Sequence, residues 1–125
     1  MDRLKHYREI VQEVLKDYHQ INQKSDSTTE SALAFDEVQD QYLLLLMGWW
    51  KDERIKSVMI HIRFKDDKIW IEEDWTEDGV ATDLLQKGIP PEEIVLAFHP
   101  PHLRQYTEFA PQVAERTMLI DDQSR

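Results

Sequence analysis

Leu4, Tyr7, Ile10, Val11, Val14, Leu15 and Tyr18 recur at spacings of three and four, which is one stripe of an amphipathic helix. That pattern predicts a helix over roughly residues 2–21, with Lys5, Arg8, Glu9, Gln12, Glu13, Lys16 and Asp17 turned outward. Gln23 to Thr29 is polar and rich in Ser and Thr, a loop. From Glu30 the period becomes two: Ala32, Ala34 and Asp36 alternate with Leu33 and Phe35, a first strand. Tyr42 to Trp50 is apolar at both parities, as expected for a central strand covered on each side. Lys51-Asp52-Glu53 reads as a tight connection. The next segment is the clearest strand, with Val58, Ile60, Ile62 and Phe64 on one face and Met59, His61, Arg63 and Lys65 on the other.

Asp66-Asp67 separates that strand from Lys68 to Trp75 in the manner of a two-residue hairpin, whose second turn residue must accept a left-handed backbone. A turn this tight pairs Phe64 with Ile69 and Ile62 with Ile71 on the core side, and Arg63 with Trp70 and His61 with Glu72 on the other. Thr76 is the expected cap of a second helix carrying Val80, Ala81, Leu84 and Leu85 inward, with Gly88 as its stop. Pro90-Pro91-Glu92-Glu93 predicts one helical turn. Ile94 to Phe98 predicts a short buried strand ended by His99-Pro100-Pro101, and Leu103 to Ala110 a last short helix. The fold class that follows is α+β: an N-terminal amphipathic helix packed on a mainly antiparallel β-meander sheet, then short helices and one further short strand. Residues 1–110 form a single domain. Residues 111–125 read as a C-terminal tail, mobile or docked on a partner subunit.

A chain of 125 residues with a 41% hydrophobic fraction supports one core. It holds no cysteine, which removes disulfides, thiolate nucleophiles and zinc ribbons and suits a reducing compartment. The N-terminus is charged from its second residue, and the longest apolar run, residues 42–50, is far shorter than the roughly twenty residues of a membrane span. A soluble, cytoplasmic protein is expected. The formal net charge of −10 opposes non-specific DNA binding, since phosphates would be repelled. The charge is uneven. Glu72, Glu73, Asp74, Glu77, Asp78 and Asp83 crowd residues 69–85, which hold no Lys or Arg. That acidic segment is either a solvated face or a docking surface for a basic partner.

Candidate chemistry is sparse. His61 across from Glu72 reads as a surface pair or a partner-facing group. His99 and His102 bracket two prolines, a geometry that forbids the helical His-x-x-His of many metal sites; no metal and no cofactor is expected. Glu72 and Asp74 could form an acid/base pair, but adjacent strand carboxylates are usually solvated. The three glycines build no phosphate loop, and no serine sits in a nucleophile elbow. Trp49, Trp50, Trp70 and Trp75 lie on neighbouring strands. An exposed Trp70 beside Arg63 offers cation–π stacking and the composition of an interface centre; a second layer of core is the equal alternative.

The run His61-Ile62-Arg63-Phe64-Lys65-Asp66-Asp67-Lys68-Ile69-Trp70-Ile71-Glu72-Glu73-Asp74-Trp75-Thr76-Glu77 resembles the central motif of the XisI family, the fdxN-element excision controlling factors of cyanobacteria. Leu4-Lys5-His6-Tyr7-Arg8 resembles that family's start. Gly88-Ile89-Pro90, Ile94 to Pro100 and Arg104 to Ala110 follow in the family's order, so that the resemblance covers roughly residues 3–110. Asp67 stands where the family usually has Gly, and Trp75 stands at another of its glycine positions. The resemblance implies a role beside a site-specific recombinase in programmed excision of a DNA element, with a nuclease-like companion protein, XisH, and with no known reaction or cofactor.

Two readings result. In the first the chain is a non-enzymatic accessory protein whose acidic segment covers a basic surface on the XisH-like companion. The partner-binding residues are then His61, Arg63, Trp70, Glu72, Asp74, Glu77, His99 and Arg104, and a homo-oligomer, a dimer by preference, is expected alongside. In the second it is a small-ligand protein or enzyme using His61, Asp74, His99 and Arg104, which must then converge in one concave pocket. Direct DNA binding through Lys51, Arg54, Lys56 and Arg63 is a third, least favoured by the charge.

Overall fold

In the computed structural model, which describes residues 2–25, 28–106 and 108–110, helix α1 (Arg3–Lys24) packs across one face of a five-stranded sheet. Asp2 caps the helix by accepting from the Leu4 amide at 3.0 Å, and Lys24 sits in its last turn, where a cation suits the dipole. Tyr7, Ile10, Val11, Val14 and Leu15 are buried, each contributing about 1.5–3 kcal/mol of apolar transfer when fully enclosed. The helix runs one turn beyond the apolar stripe through Gln20, Gln23 and Lys24, which are good helix formers, with Ile21 65% accessible.

Strands β1 (Thr29–Asp36), β2 (Gln41–Trp50), β3 (Glu53–Lys65) and β4 (Lys68–Asp74) form an antiparallel meander in spatial order, and β5 (Ile94–Leu96) joins β4 in parallel after helix α2 (Val80–Gln86). The connections show why each strand reverses. Asp36 accepts the amides of Val38 and Gln39, and Asp40 takes a positive φ of 56°. Asp66 and Asp67 both adopt positive φ, 53° and 62°, the twist-matched hairpin turn expected from the sequence. Phe64–Ile69, Arg63–Trp70 and Ile62–Ile71 pair as expected.

His61 does not face Glu72. Glu72 is an extra residue in a bulge, and His61 pairs with Glu73. A second bulge, at Met59, leaves Ile60 opposite Leu44 and brings Val58 opposite Leu45. The bulges keep Ile60, Ile62, Phe64, Ile69 and Ile71 on the helix side. On the far side stand Ala32, Ala34, Leu43, Leu45, Met47, Val58, His61, Arg63 and Trp70.

The meander is not flush. β1 reaches only Gly48 on β2, and β4 reaches only Ile60 on β3, so Trp49 to Arg54 extend past both neighbours as a two-stranded ribbon. There Trp49 is 54% and Trp50 58% accessible. The doubly covered strand expected for residues 42–50 is therefore half right. Tyr42 and Leu44 are buried under α1, while Leu43, Leu45 and Met47 are half-exposed, because no described element lies over that part of the far face.

Three further expectations change. Thr76 does not cap α2; Gly79 precedes the helix, and the Asp74 carboxylate takes the Val80 amide from six residues away at 2.7 Å. The turn at Pro91–Glu93 forms as expected, but the buried strand stops at Leu96 and Phe98 is 47% accessible. The last helix is a 3₁₀ segment at Pro101–Tyr106, after which Ala110 bridges Val95. The tail expected at 111–125 lies outside the described residues.

Candidate functional site

The fold gathers most of the candidate residues on the far face of β3 and β4. β3 and β4 set Arg63 opposite Trp70. The chain after β5 then folds back across the indole, placing Trp70 with Val95, Ala97 and Ala110 in a small second core. Trp70 is consequently 5% exposed: of the two readings its parity leaves open, a bare interface centre and a second core layer, the second holds, with the layer under the chain after β5 and not under α1. Its Nε1 donates to the Lys65 carbonyl at 2.9 Å.

Three cations surround that ring. Lys65 Nζ lies 4.8 Å from the ring centroid, Arg104 Cζ 5.6 Å and Arg63 Cζ 5.7 Å, all inside the range of cation–π attraction. Arg63 Nε also donates to Glu72 at 2.6 Å, and this carboxylate offsets part of the mutual repulsion. Arg104 is 7% exposed. Burial lowers its pKa from the usual arginine value, with Glu72 opposing the shift. Its Nε donates to the His99 carbonyl at 3.1 Å and its Nη2 to the Ala97 carbonyl at 3.3 Å. Arg104 thus ties the segment after β5 to the sheet. His99 enters this cluster through its backbone, while its ring tilts against Phe98 at 4.7 Å.

His61 stands two residues along β3 from Arg63 and bonds Gln41 at 2.7 Å through Nε2. Burial lowers its pKa, and Glu72 pulls in the opposite direction. Asp74 is not part of this group. It pairs with Ile60 on the helix side. Its carboxylate accepts from the Thr76 amide at 2.9 Å, the Thr76 hydroxyl at 2.6 Å and the Val80 amide. The constellation of His61, Asp74, His99 and Arg104 is therefore split between two faces of the sheet and forms no common pocket. The open groove beside α1 is lined by Lys5, Arg8, Glu9, Gln12 and Glu37, none of them a candidate. Among the described residues no group of three or more His, Asp or Glu converges as metal ligands.

The acidic segment is likewise divided. Glu72 holds Arg63, Glu73 accepts the Trp75 indole N–H at 2.7 Å, Asp74 caps α2, and Asp83 accepts the Tyr18 hydroxyl. Burial first, and Asp83 second, raise the Tyr18 pKa above the ordinary phenol value. Glu77 and Asp78 stay exposed in the loop before α2, beside Trp75 at 72% exposure. The sequence groups Trp75 with the other tryptophans and gives it no separate role. Its place just past the end of β4 was the signal that it would be bare.

A second polar cluster was missed entirely. Arg8 grips Asp40 through Nε at 2.8 Å and Nη2 at 3.1 Å and lies over Phe64, while the Tyr42 hydroxyl donates to Asp40 at 3.0 Å. It locks α1 to the β1–β2 turn. Neither strand nor helix periodicity marks it, because Arg8 and Asp40 lie 32 residues apart in the chain. No helix among the described residues is long and apolar enough to cross a membrane.

The chain matches the model of the XisI protein family over residues 1–111. It is similar to the crystal structure of an XisI-like protein from Anabaena variabilis, with 34% identity, a TM-score of 0.79, and coverage of 86% of this chain and 98% of that one. It is also similar to the fdxN element excision controlling factor XisI of Anabaena variabilis, with 39% identity, a TM-score of 0.77, and coverage of 89% and 100%. No curated protein matches.

Proposed function

Because the chain belongs to the XisI family, we propose that it is a non-enzymatic accessory factor in the control of DNA-element excision, acting in the cytoplasm by binding a nuclease-like companion of the XisH kind. The observation that carries this reading is the loop between β4 and α2. Trp75, Glu77 and Asp78 stand exposed there, on a base held by the three hydrogen bonds of Asp74. A bare tryptophan flanked by two unburied carboxylates has the anchor-and-charge composition that suits a basic protein surface. Long-range attraction from a chain of net charge −10 would speed the encounter. Glu72, Asp74 and Asp83 hold the fold together and contribute to the field, while Glu73 holds the Trp75 indole in place.

The test is calorimetric titration of the purified companion with the wild type and with Glu77→Lys/Asp78→Lys. The reading expects affinity to fall at least about tenfold in the double variant, and to fall with added salt in the wild type. Equal affinity for both proteins at every ionic strength would remove the electrostatic contact. Turnover of any substrate by the purified chain would overturn the non-enzymatic assignment.

A further inference from the structure

The far face of the sheet is closed over β4 and β5 by Ala97, Arg104 and Ala110, and among the described residues nothing lies over β1, β2 and β3. The open strip is symmetric about β2. Its middle is a ridge formed by Leu43, Leu45 and Met47, half-exposed and continued by Trp49. To either side the register sets strands in rows. Glu30, Met47 and Lys56 form one row, Ala32, Leu45 and Val58 the next, Ala34, Leu43 and His61 the third, and Asp36, Gln41 and Arg63 the last. The β1 end of the first and last rows is acidic, and the β3 end is basic. The two middle rows are apolar apart from His61.

We infer that this strip is the interface between two copies of the chain, packed sheet on sheet about a two-fold axis running along β2. Such an axis lays β1 of one copy over β3 of the other at the same height. Glu30 then meets Lys56 of the second copy, and Asp36 meets the Arg63 that already holds Glu72. The small side chains of Ala32 and Ala34 meet the larger Val58 and His61, which evens the thickness of the layer. A two-fold across the strands instead would stack Glu30 on Asp36 and Lys56 on Arg63, bringing like charges together. The charge pattern selects the first axis, and it is the aligned arrangement in which sandwiched sheets ordinarily pack.

The dimensions are sufficient. Three strands over seven residues span about 14 Å by 24 Å in plan, about 340 Å²; side-chain relief and the protruding Trp49 bring this to about 500 Å² per partner, the lower end of a specific interface at about 1,000 Å² in total. A second copy also supplies what a chance partner would not, a strip of the same width and twist with opposite charges at matching heights. This surface is separate from the loop of Trp75, Glu77 and Asp78, so loss of companion binding would leave it untouched, and its own loss would leave companion binding in place.

Sedimentation equilibrium of the full chain tests the inference. The wild type should have a mass of about 30 kDa, twice the 15.0 kDa chain, at concentrations of about 10–100 µM. Glu30→Lys and Lys56→Glu alone should each weaken the dimer about tenfold, because the two-fold repeats every contact. The double variant, with both charges exchanged, should return to within about threefold of wild type. Leu45→Lys should give a monomer with an unchanged helical circular-dichroism signal; the charge exchange decides the matter should that variant fail to fold. A monomeric wild type at about 100 µM overturns the inference. So does a dimer indifferent to both single charge changes, or one whose double variant is weaker than either single.

Discussion

Replacing Asp74 with Ala isolates one carboxylate that the sequence offers as a contact residue and the fold uses as a cap. The side chain accepts three hydrogen bonds, from the Thr76 amide, the Thr76 hydroxyl and the Val80 amide, at 2.9, 2.6 and 2.7 Å. Val80 is fully buried, so its amide has no easy recourse to water. Leaving the buried Val80 amide without its charged acceptor costs about 1–3 kcal/mol, and losing the separate Thr76 amide bond adds about 0.5–1.5 kcal/mol. The Thr76 hydroxyl can turn to solvent and adds little. Together Asp74→Ala should lose about 2–4 kcal/mol. Asp74→Asn keeps one acceptor oxygen and opposes Val80 with a donor, so it should lose about half as much. With an m-value of about 1.5 kcal/mol per molar urea, the Ala variant's midpoint falls by about 2 M at unchanged m. Urea unfolding followed by tryptophan fluorescence measures this directly. A loss below about 0.5 kcal/mol in the Ala variant would refute the capping argument, and a companion-binding defect without any stability loss would return Asp74 to the contact surface.

Two further measurements probe the turn and the aromatic core. Asp67 sits at φ 62°, where glycine carries no penalty, so Asp67→Gly should gain about 0.5–1 kcal/mol and raise Tm by about 2–4 °C; a lower Tm would show that the aspartate makes a compensating contact. The Tyr42 phenol is pushed up to about 12 from 10.0, by burial and then by Asp40. Below pH 10 both folded and unfolded chains keep that proton. Between about pH 10 and 12 only the folded chain does, so stability falls as pH rises, by up to about 1.4 kcal/mol per unit for this group. Unfolding curves across that window should be steeper in pH for the wild type than for Tyr42→Phe, and parallel slopes would contradict the assignment.

The parts of the fold that rest on periodicity were legible. The stripe from Leu4 to Tyr18 fixed α1, and the Asp66-Asp67 turn fixed the pairs from Phe64–Ile69 to Ile62–Ile71, because a two-residue turn leaves no freedom of register. The pairing failed one step later, at Glu72, since a bulge inserts a residue without any compositional mark. Asp74 is not legible as a cap because capping side chains ordinarily bind an amide two or three residues on, and the Val80 amide lies six residues on. Whether Trp70 is bare or buried stays open in the sequence, because alternation tells which face a side chain takes and says nothing about what later chain covers that face. The same blindness, with the opposite sign, made β2 look covered on both sides. Of the candidate site, Arg63, Trp70, Glu72 and Arg104 do assemble, held together by charge and stacking that no single strand pattern contains.

The unequal lengths of the strands carry a consequence for the chain's behaviour at high concentration. Beyond Met59, whose carbonyl still accepts the Trp75 amide at 3.0 Å, the outer rim of β3 toward Glu53 has no β4 neighbour. Among the described residues its peptide groups there face no other strand, which is the template on which fibrils nucleate. Glu53, Arg54 and Lys56 occupy that rim, so any incoming strand must accommodate charges of both signs within four residues. Neutralising these three side chains would leave the native core untouched and remove the guard against ordered aggregation.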